Sequence, residues 1–416
     1  MVIETEQPRE AMLRRVTGLA RSTPGRLSLI ALLLIAASFI AGSLTAMSVI
    51  NRAAALEELA TRSEPLAHAA QEVYRSLQDA DAAAASAFLS GGLEPVDLRA
   101  RYETDIAQAQ AALSRATASH PELTATLASQ LPVYTGLIET ARTNNRQGFP
   151  VGAAYLREAS GMMRNQLLPA AQELYRAESD GVAQAQDRAA RFPVSEVLLG
   201  LLALVALGLA QAYLTRRTNR LLNVGLLVAT GAAFVSLVWV TLSAVIVIND
   251  VGDSRSGGSS RVGVLVDARI ATLTARSDET LTLVARGSGQ NYEKSYVEVS
   301  EKLEGLLGQA RKIAPSAEVD SASRHFMDWQ ATHQRIREAD DAGQYNEAVA
   351  LIAEPSFDEL DADLVRAIGL ARQGFSGEIA AARGALVGTA VGVLALALVS
   401  AVGSSMGLWQ RLKEYR

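Results

Sequence analysis

Six charged residues of this chain have types and spacings that could hold a small charged molecule. Asp79 and Asp81 lie in "SLQDADAAAASAFL", Asp278 and Glu279 adjoin in "ARSDETLTLV", and Arg142 and Arg146 sit a helical turn apart in "ETARTNNRQG". Arginine offers a planar fork of N–H donors that takes a carboxylate bidentately, so an Arg and carboxylate set inside a helical bundle can hold an amino or organic acid. Asp79 and Asp81, two apart on a helix, do not share a face. Taken singly, each of the six reads more simply as part of a solvated helix face.

Catalytic chemistry finds less support. The four histidines, His68, His120, His325 and His333, fall in no HExxH arrangement and read as surface residues. No phosphate-binding glycine loop, nucleophile elbow or dinucleotide fingerprint is present. Gly287-Ser288-Gly289 reads as a turn between helices. With 0 cysteines, thiol-ligated metals and disulfide scaffolds are excluded. The expectation is a chain that is not an enzyme and carries no metal and no cofactor.

Stepping outward, four long uncharged runs must position any such residues: Leu27–Ile50, Val197–Leu214, Leu221–Ile248 and Gly384–Gln410. Each can cross about 30 Å of hydrocarbon as a helix rising about 1.5 Å per residue. The first run is too long for a signal peptide's apolar core and reads as a retained anchor. Glu196 is the ionisable residue nearest to any span interior, which argues against ion-coupled transport. Gly384, Gly388 and Gly392 form a double small-xxx-small pattern that favours close helix packing.

Charge sets the expected orientation. Residues 1–26 carry a net +2, the 215–220 stretch "TRRTNR" +3 and the tail "RLKEYR" +2, whereas residues 51–192 carry −4 and 249–383 carry −7. Short positive segments stay in the cytoplasm while long loops cross largely regardless of charge. Arg14, Arg15, Arg216, Arg217 and Arg220 therefore read as cytoplasmic topology markers and candidate readout residues, with anionic-lipid contact as a secondary role. Met12, Leu13, Val16 and Leu19 share one helical face, which suits an amphipathic helix on the inner membrane surface. This distribution gives no reason to expect a nucleic-acid partner.

The halves of the chain repeat. An offset of roughly 196 residues overlays span on span, "GFPVGAAYLREAS" on "QYNEAVALIAEPS", Gly148 on Gly343 and Pro121 on Pro315. Between breakers the apolar period is helical, as at Leu66, Ala70, Val73 and Leu77. Helices are expected at 51–90, 95–119, 121–147 and 150–192, and again at 260–286, 291–313, 316–342 and 344–383. Pro132 and Pro355 should kink or interrupt theirs. The predicted architecture is an all-α membrane protein: four transmembrane helices carrying two extracytoplasmic antiparallel four-helix bundles, produced by internal duplication. In order it has a basic leader (1–26), a span (27–50), bundle 1 (51–192), a span (194–214), a cytoplasmic hairpin (215–221), a span (222–248), bundle 2 (249–383), a span (384–409) and a tail (410–416).

Membrane-anchored helical bundles with no attached enzyme resemble bacterial sensor modules. Together with "YRSLQDADAAAASAFLSGG", "NRQGFPVGAAYLREAS" and "ADDAGQYNEAVALI", the duplicated plan resembles the GlnX-type actinobacterial four-span membrane proteins. The resemblance implies a relay from an extracytoplasmic solute-binding lipoprotein, which binds glutamate, aspartate or glutamine, to the cytoplasmic Ser/Thr kinase G. It assigns no site residue. The expected function is thus a non-enzymatic transmembrane signal transducer in the cell membrane with both termini cytoplasmic; a homo-oligomer is compatible with it. The alternatives are a direct small-molecule receptor and a structural or accessory subunit of a transporter or envelope complex.

Overall fold

Prolines, glycines and short polar linkers punctuate the chain, and the helices start and stop at them. The computed structural model describes residues 23–90, 93–117, 119–218, 223–253 and 258–413, and the description below concerns these. The expected leader helix, with Arg14 and Arg15, and Arg220 of the hairpin lie outside the described residues. Helices α1 (Thr23–Glu58), α2 (Glu64–Leu89), α3 (Val96–Ala116), α4 (Pro121–Arg146), α5 (Val151–Met162), α6 (Leu168–Ala190) and α7 (Val194–Thr218) make up the first half. The second half holds α8 (Val224–Asp253), α9 (Ser260–Val284), α10 (Gln290–Ile313), α11 (Ala317–Asp341), α12 (Tyr345–Ile352), α13 (Ser356–Leu386) and α14 (Thr389–Lys413). The protein is all-helical, with no strand among the described residues.

Two π-helical turns, Leu59–Ser63 and Met163–Leu167, join α1 to α2 and α5 to α6 without ending the helix. Each is followed within two residues by a proline, Pro65 and Pro169. A proline lacks the N–H for the carbonyl four residues back and its ring crowds that carbonyl; a locally widened turn relieves both. Pro355 separates α12 from α13, as its position in the sequence implies. Pro132 does not interrupt α4, because buried Leu127, Leu131, Tyr134 and Ile138 hold the helix on both sides of it.

The chain divides into two compact units. One comprises Met1–Leu56, Asp187–Val251 and Ala380–Arg416. The described residues hold four helices long and apolar enough to cross a membrane, and each runs partly through this unit. Leu32, Ile40, Leu202, Leu209 and Val391 are exposed on its surface, an apolar exterior suited to lipid rather than water. Its helices approach closely at small residues. A Cβ on Gly225 would come within 2.5 Å of the Gly403 carbonyl oxygen, and Asn223 donates to the Gly407 carbonyl at 2.7 Å while its own oxygen accepts from Gly225 N. Of the glycines that the sequence marks for packing, only Gly392 abuts a neighbour, Trp239; Gly384 faces open space and Gly388, at φ 75°, makes the break before α14. The close approach uses Gly403 and Gly407 instead, because spacing alone does not tell which side of a helix faces a partner.

The other unit comprises Glu57–Gln186 and Gly252–Ile379. Helices α2 to α6 enclose one core with Val73, Leu77, Tyr134, Leu156 and Leu174, and α9, α10, α11 and α13 enclose a second with Leu273, Leu303, Phe326, Trp329 and Leu364. At the ends of α4 and α11 stand Gly148 and Gly343, both at φ 74°. Phe149 N reaches back to Asn144 O at 2.9 Å, and Gln344 N to Ala339 O at 2.8 Å. These are six-to-one closures that need a left-handed residue, which glycine adopts without strain.

Candidate functional site

Helices α2 and α9 lack the solvent-facing side that an amphipathic pattern provides. In α2 every residue from Ser76 to Ala85 is buried, and in α9 every residue from Ser277 to Val284. The reason is that they pack on each other as well as on their own bundles: Leu281 and Val284 of α9 enter the core of the first bundle, while Leu283 joins a separate cluster with Ile336, Ala348 and Ile352 of α11 and α12. The alanine run after Asp81 allows this approach. Gln78 donates to Thr274, and Ser277 to Asp81 Oδ2 at 3.2 Å. Both pairs join residues 196 apart in sequence.

Four of the six residues singled out above, Asp79, Asp81, Asp278 and Glu279, are buried rather than solvated, and Asp81 and Asp278 meet donors across this seam. Asp81 accepts at Oδ1 from Tyr134 at 3.2 Å and from Ser160 at 2.9 Å, besides Ser277. Asp278 accepts from Ser295 at 2.6 Å and meets Arg164 Nη1 at 2.5 Å. Arg164, carried by the second π turn, also contacts Ser277 and lies over the ring of Tyr292. This arginine of the first bundle thus pairs with Asp278 and acts on Asp81 only through its charge. Burial pushes the Asp81 and Asp278 carboxyls up, opposed in each by the charge of Arg164.

Glu279, next in sequence, behaves oppositely. Its Oε1 meets His333 Nδ1 at 2.9 Å, and its Oε2 accepts from Arg276 at 2.7 Å and from Trp329 Nε1 at 3.3 Å. Burial raises this carboxyl too, but the hydrogen bond from His333 and the charge of Arg276 reverse the direction and hold it low. His333 bridges to Glu293 at 3.2 Å and stacks on Tyr296 at 3.5 Å between ring centroids. Burial disfavours its charge, yet its bonds to Glu279 and Glu293 raise its pKa. The surface expectation therefore fails for His333, which is 6% exposed. His68, His120 and His325 are half-buried and bonded to Arg372, Glu178 and Asp363.

Asp79 belongs to a third group. It bonds Arg75 Nη1 at 2.5 Å and Arg101 at 3.2 Å, with Arg269 at 3.5 Å. These residues line an open cleft of about 810 Å³ between the bundles, bounded also by Asp105, His68, Gln71 and Arg372. Burial and the neighbouring Asp79 push the Asp105 carboxyl up to about 7. Arg142 and Arg146 stand apart from all of this. Arg142 pairs with Glu94 at 3.0 Å and Glu139 at 2.6 Å and covers the Tyr102 ring, tying the ends of α3 and α4 together. Arg146 is exposed at the end of α4. Arg216 is exposed at the end of α7, and the side chain of Arg217 lies outside the described atoms.

Sequence reasoning missed Arg75, Arg101, Asp105, Arg164, Arg276 and Arg269. Arg75 stands four residues before Asp79 and Arg276 three before Glu279, the spacing of intrahelical pairs, which was a readable signal. Arg164 carried none, since its partners lie 113 residues away and beyond.

Residues 55–187, which take in the first bundle, match the family described as an actinobacterial sensor domain. No curated protein and no solved structure matches the chain. The match supports an actinobacterial sensor protein and a sensing or signalling role.

Proposed function

We propose that this protein is a non-enzymatic signal transducer of the cell membrane, relaying a nutrient signal from an extracytoplasmic solute-binding lipoprotein to a cytoplasmic Ser/Thr kinase. The observation that carries the reading is the seam of α2 and α9. Binding at one bundle can bias the other only through a contact with two arrangements, and a ligand shifts such an equilibrium only by its differential affinity. A seam built of small residues, hydroxyl contacts and one shared arginine meets that requirement better than a continuous apolar core would, because its polar pairs can be exchanged. The sensor-domain match covers the helices that form one side of it.

The test uses the absence of native cysteine. Cysteines placed at Gln78 and Thr274 form a crosslink across the seam under oxidation. Locking it should abolish the downstream phosphorylation response, and reduction should restore it. A response that survives the lock would sink the seam as the route. Crosslinking mass spectrometry on native membranes checks the partners: a lipoprotein linked to the bundles and a kinase linked to the positive segments are expected. Stable capture of a permease instead, with loss of transport on deletion, would replace the relay with an accessory-subunit role.

A further inference from the structure

Residues of α1, α7, α8 and α14 line a crevice of about 50 Å³ inside the unit that carries the apolar runs. Ser38, Ser236 and Ser400 face it from near the middle of their runs, and Ser38 and Ser400 bond each other at 3.1 Å. Thr45, seven residues beyond Ser38 on α1, faces it about 10 Å farther along the helix. A hydroxyl in hydrocarbon is normally satisfied by its own helix. Thr215, Thr230, Thr241 and Thr389 of the span helices follow this rule, each donating to the carbonyl four residues back at 2.8 to 3.3 Å. Thr45 does not. It is 8% exposed, and its hydroxyl makes no hydrogen bond among the described residues. The Ser236 hydroxyl makes none either.

Glu196 lines the same crevice and brings a charge. It accepts from Ser195 at 2.8 Å and from Ser48. A carboxylate has about four lone-pair positions, so these bonds leave it able to accept more. The cation that faces it, Arg52, forms no ion pair with it and donates to the Arg191 carbonyl instead. The crevice thus offers oxygen donors only, with one negative charge. Oxygen donors select hard cations. A single negative charge suits a monovalent ion, because a divalent one would leave charge uncompensated among apolar walls. The walls are close, for an added Cβ on Gly42 would collide with Ala397 and one on Gly200 with Leu237. One water needs about 10–15 Å³, so the space takes one small ion with a few waters and no organic cation.

We infer that this crevice binds an alkali cation of sodium's size between the Glu196 carboxylate and the Thr45 hydroxyl, with Ser236 and water completing its shell. Since α1 supplies Thr45, α7 Glu196 and α8 Ser236, an occupied site ties three spans together. No ionisable residue lies within the four apolar runs, so the ion is held rather than passed across. The inference stands apart from the relay and needs none of its partners.

The full chain in lipid nanodiscs provides the test, read by thermal melting and by the sodium-23 NMR linewidth. Sodium chloride is titrated against N-methylglucamine chloride at equal ionic strength. Sodium should raise the melting temperature saturably and its resonance should broaden with added protein, while N-methylglucamine should do nothing. Glu196→Gln should abolish both effects. Thr45→Val should weaken the apparent affinity about tenfold, the loss of one oxygen contact. Thr230→Val, whose hydroxyl bonds its own helix outside the crevice, should leave the affinity unchanged. The absence of a saturable sodium effect overturns the site. So does an effect retained in both Glu196→Gln and Thr45→Val while their melting confirms folding, which would place sodium on the acidic bundles and leave the crevice to water. Should Glu196→Gln fail to fold, the comparison of Thr45→Val with Thr230→Val decides: equal affinities overturn the site, and a loss confined to Thr45→Val upholds it.

Discussion

Helices α2 and α9 each bury a carboxylate, Asp81 and Glu279, that its surroundings treat oppositely. In the first, Asp81 is surrounded by hydroxyl donors from Tyr134, Ser160 and Ser277, and its carboxyl rises. In the second, Glu279 is surrounded by a guanidinium, an indole N–H and an imidazole, and its carboxyl falls. Both are buried. The difference lies in how many charged groups bond the carboxylate directly: none for Asp81, one for Asp278, whose carboxyl still rises, and two for Glu279, enough to offset desolvation. The first bundle thus holds a carboxylate whose charge burial opposes, and the second holds an ionic cluster around Glu279.

The largest expected effect breaks the second of these. Glu279→Ala takes from buried Arg276 and His333 the carboxylate they share, leaving them the Ile352 carbonyl and Glu293, and should cost about 3–5 kcal/mol of stability in chemical unfolding. Arg164→Met should cost less, on the order of 2–3 kcal/mol, because Asp81 and Asp278 can neutralise themselves by binding protons. Their raised pKa values fix the sign: a carboxyl that binds protons more tightly when folded favours the folded state as pH falls. The Arg164→Met deficit should therefore shrink between pH 7 and pH 5, and that of Glu279→Ala should not. A deficit that grows toward pH 5 would show that Asp81 and Asp278 stay ionised.

A third experiment isolates His333. A histidine whose pKa is raised on folding contributes stability that is fully present below its unfolded value near 6.5 and lost as pH rises through the folded value. Melting temperature should fall over that interval in the native protein and fall less in His333→Gln, where Asp105 still titrates near 7. The smallest effects come from the matched turns. Gly148→Ala and Gly343→Ala force alanine into the left-handed region, at about 1–2 kcal/mol each, and should be nearly equal, since both glycines have φ 74° and no neighbour within 4 Å. A large inequality would mean that one turn matters beyond its backbone conformation.

Much of the fold was legible because it rests on local rules. Apolar runs long enough to cross hydrocarbon, a 3.6-residue period and breakers such as Gly148, Pro121 and Pro355 specify helices and their ends with information a few residues wide. The candidate sites were legible in part. Asp79, Asp81, Asp278 and Glu279 could be marked by residue type, but the solvated face assigned to them assumed that a helix in a bundle keeps one side for water. Helices α2 and α9 violate that assumption by packing on each other. Arg142, chosen by the same logic as these four, proved to be a tie between helix ends.

Composition and periodicity thus determined, by themselves, that the chain is helical and has four stretches apolar enough to cross a membrane. Tertiary structure alone decided which charges are buried, that Arg164 of one bundle pairs with Asp278 of the other, that His333 is interior and that Arg101 and Arg372 face one cleft. The physical reason is range. A helix forms from bonds four residues long, whereas the ionisation and exposure of a side chain depend on neighbours brought from anywhere along the chain, 53 residues away for Tyr134 on Asp81 and 196 for Ser277.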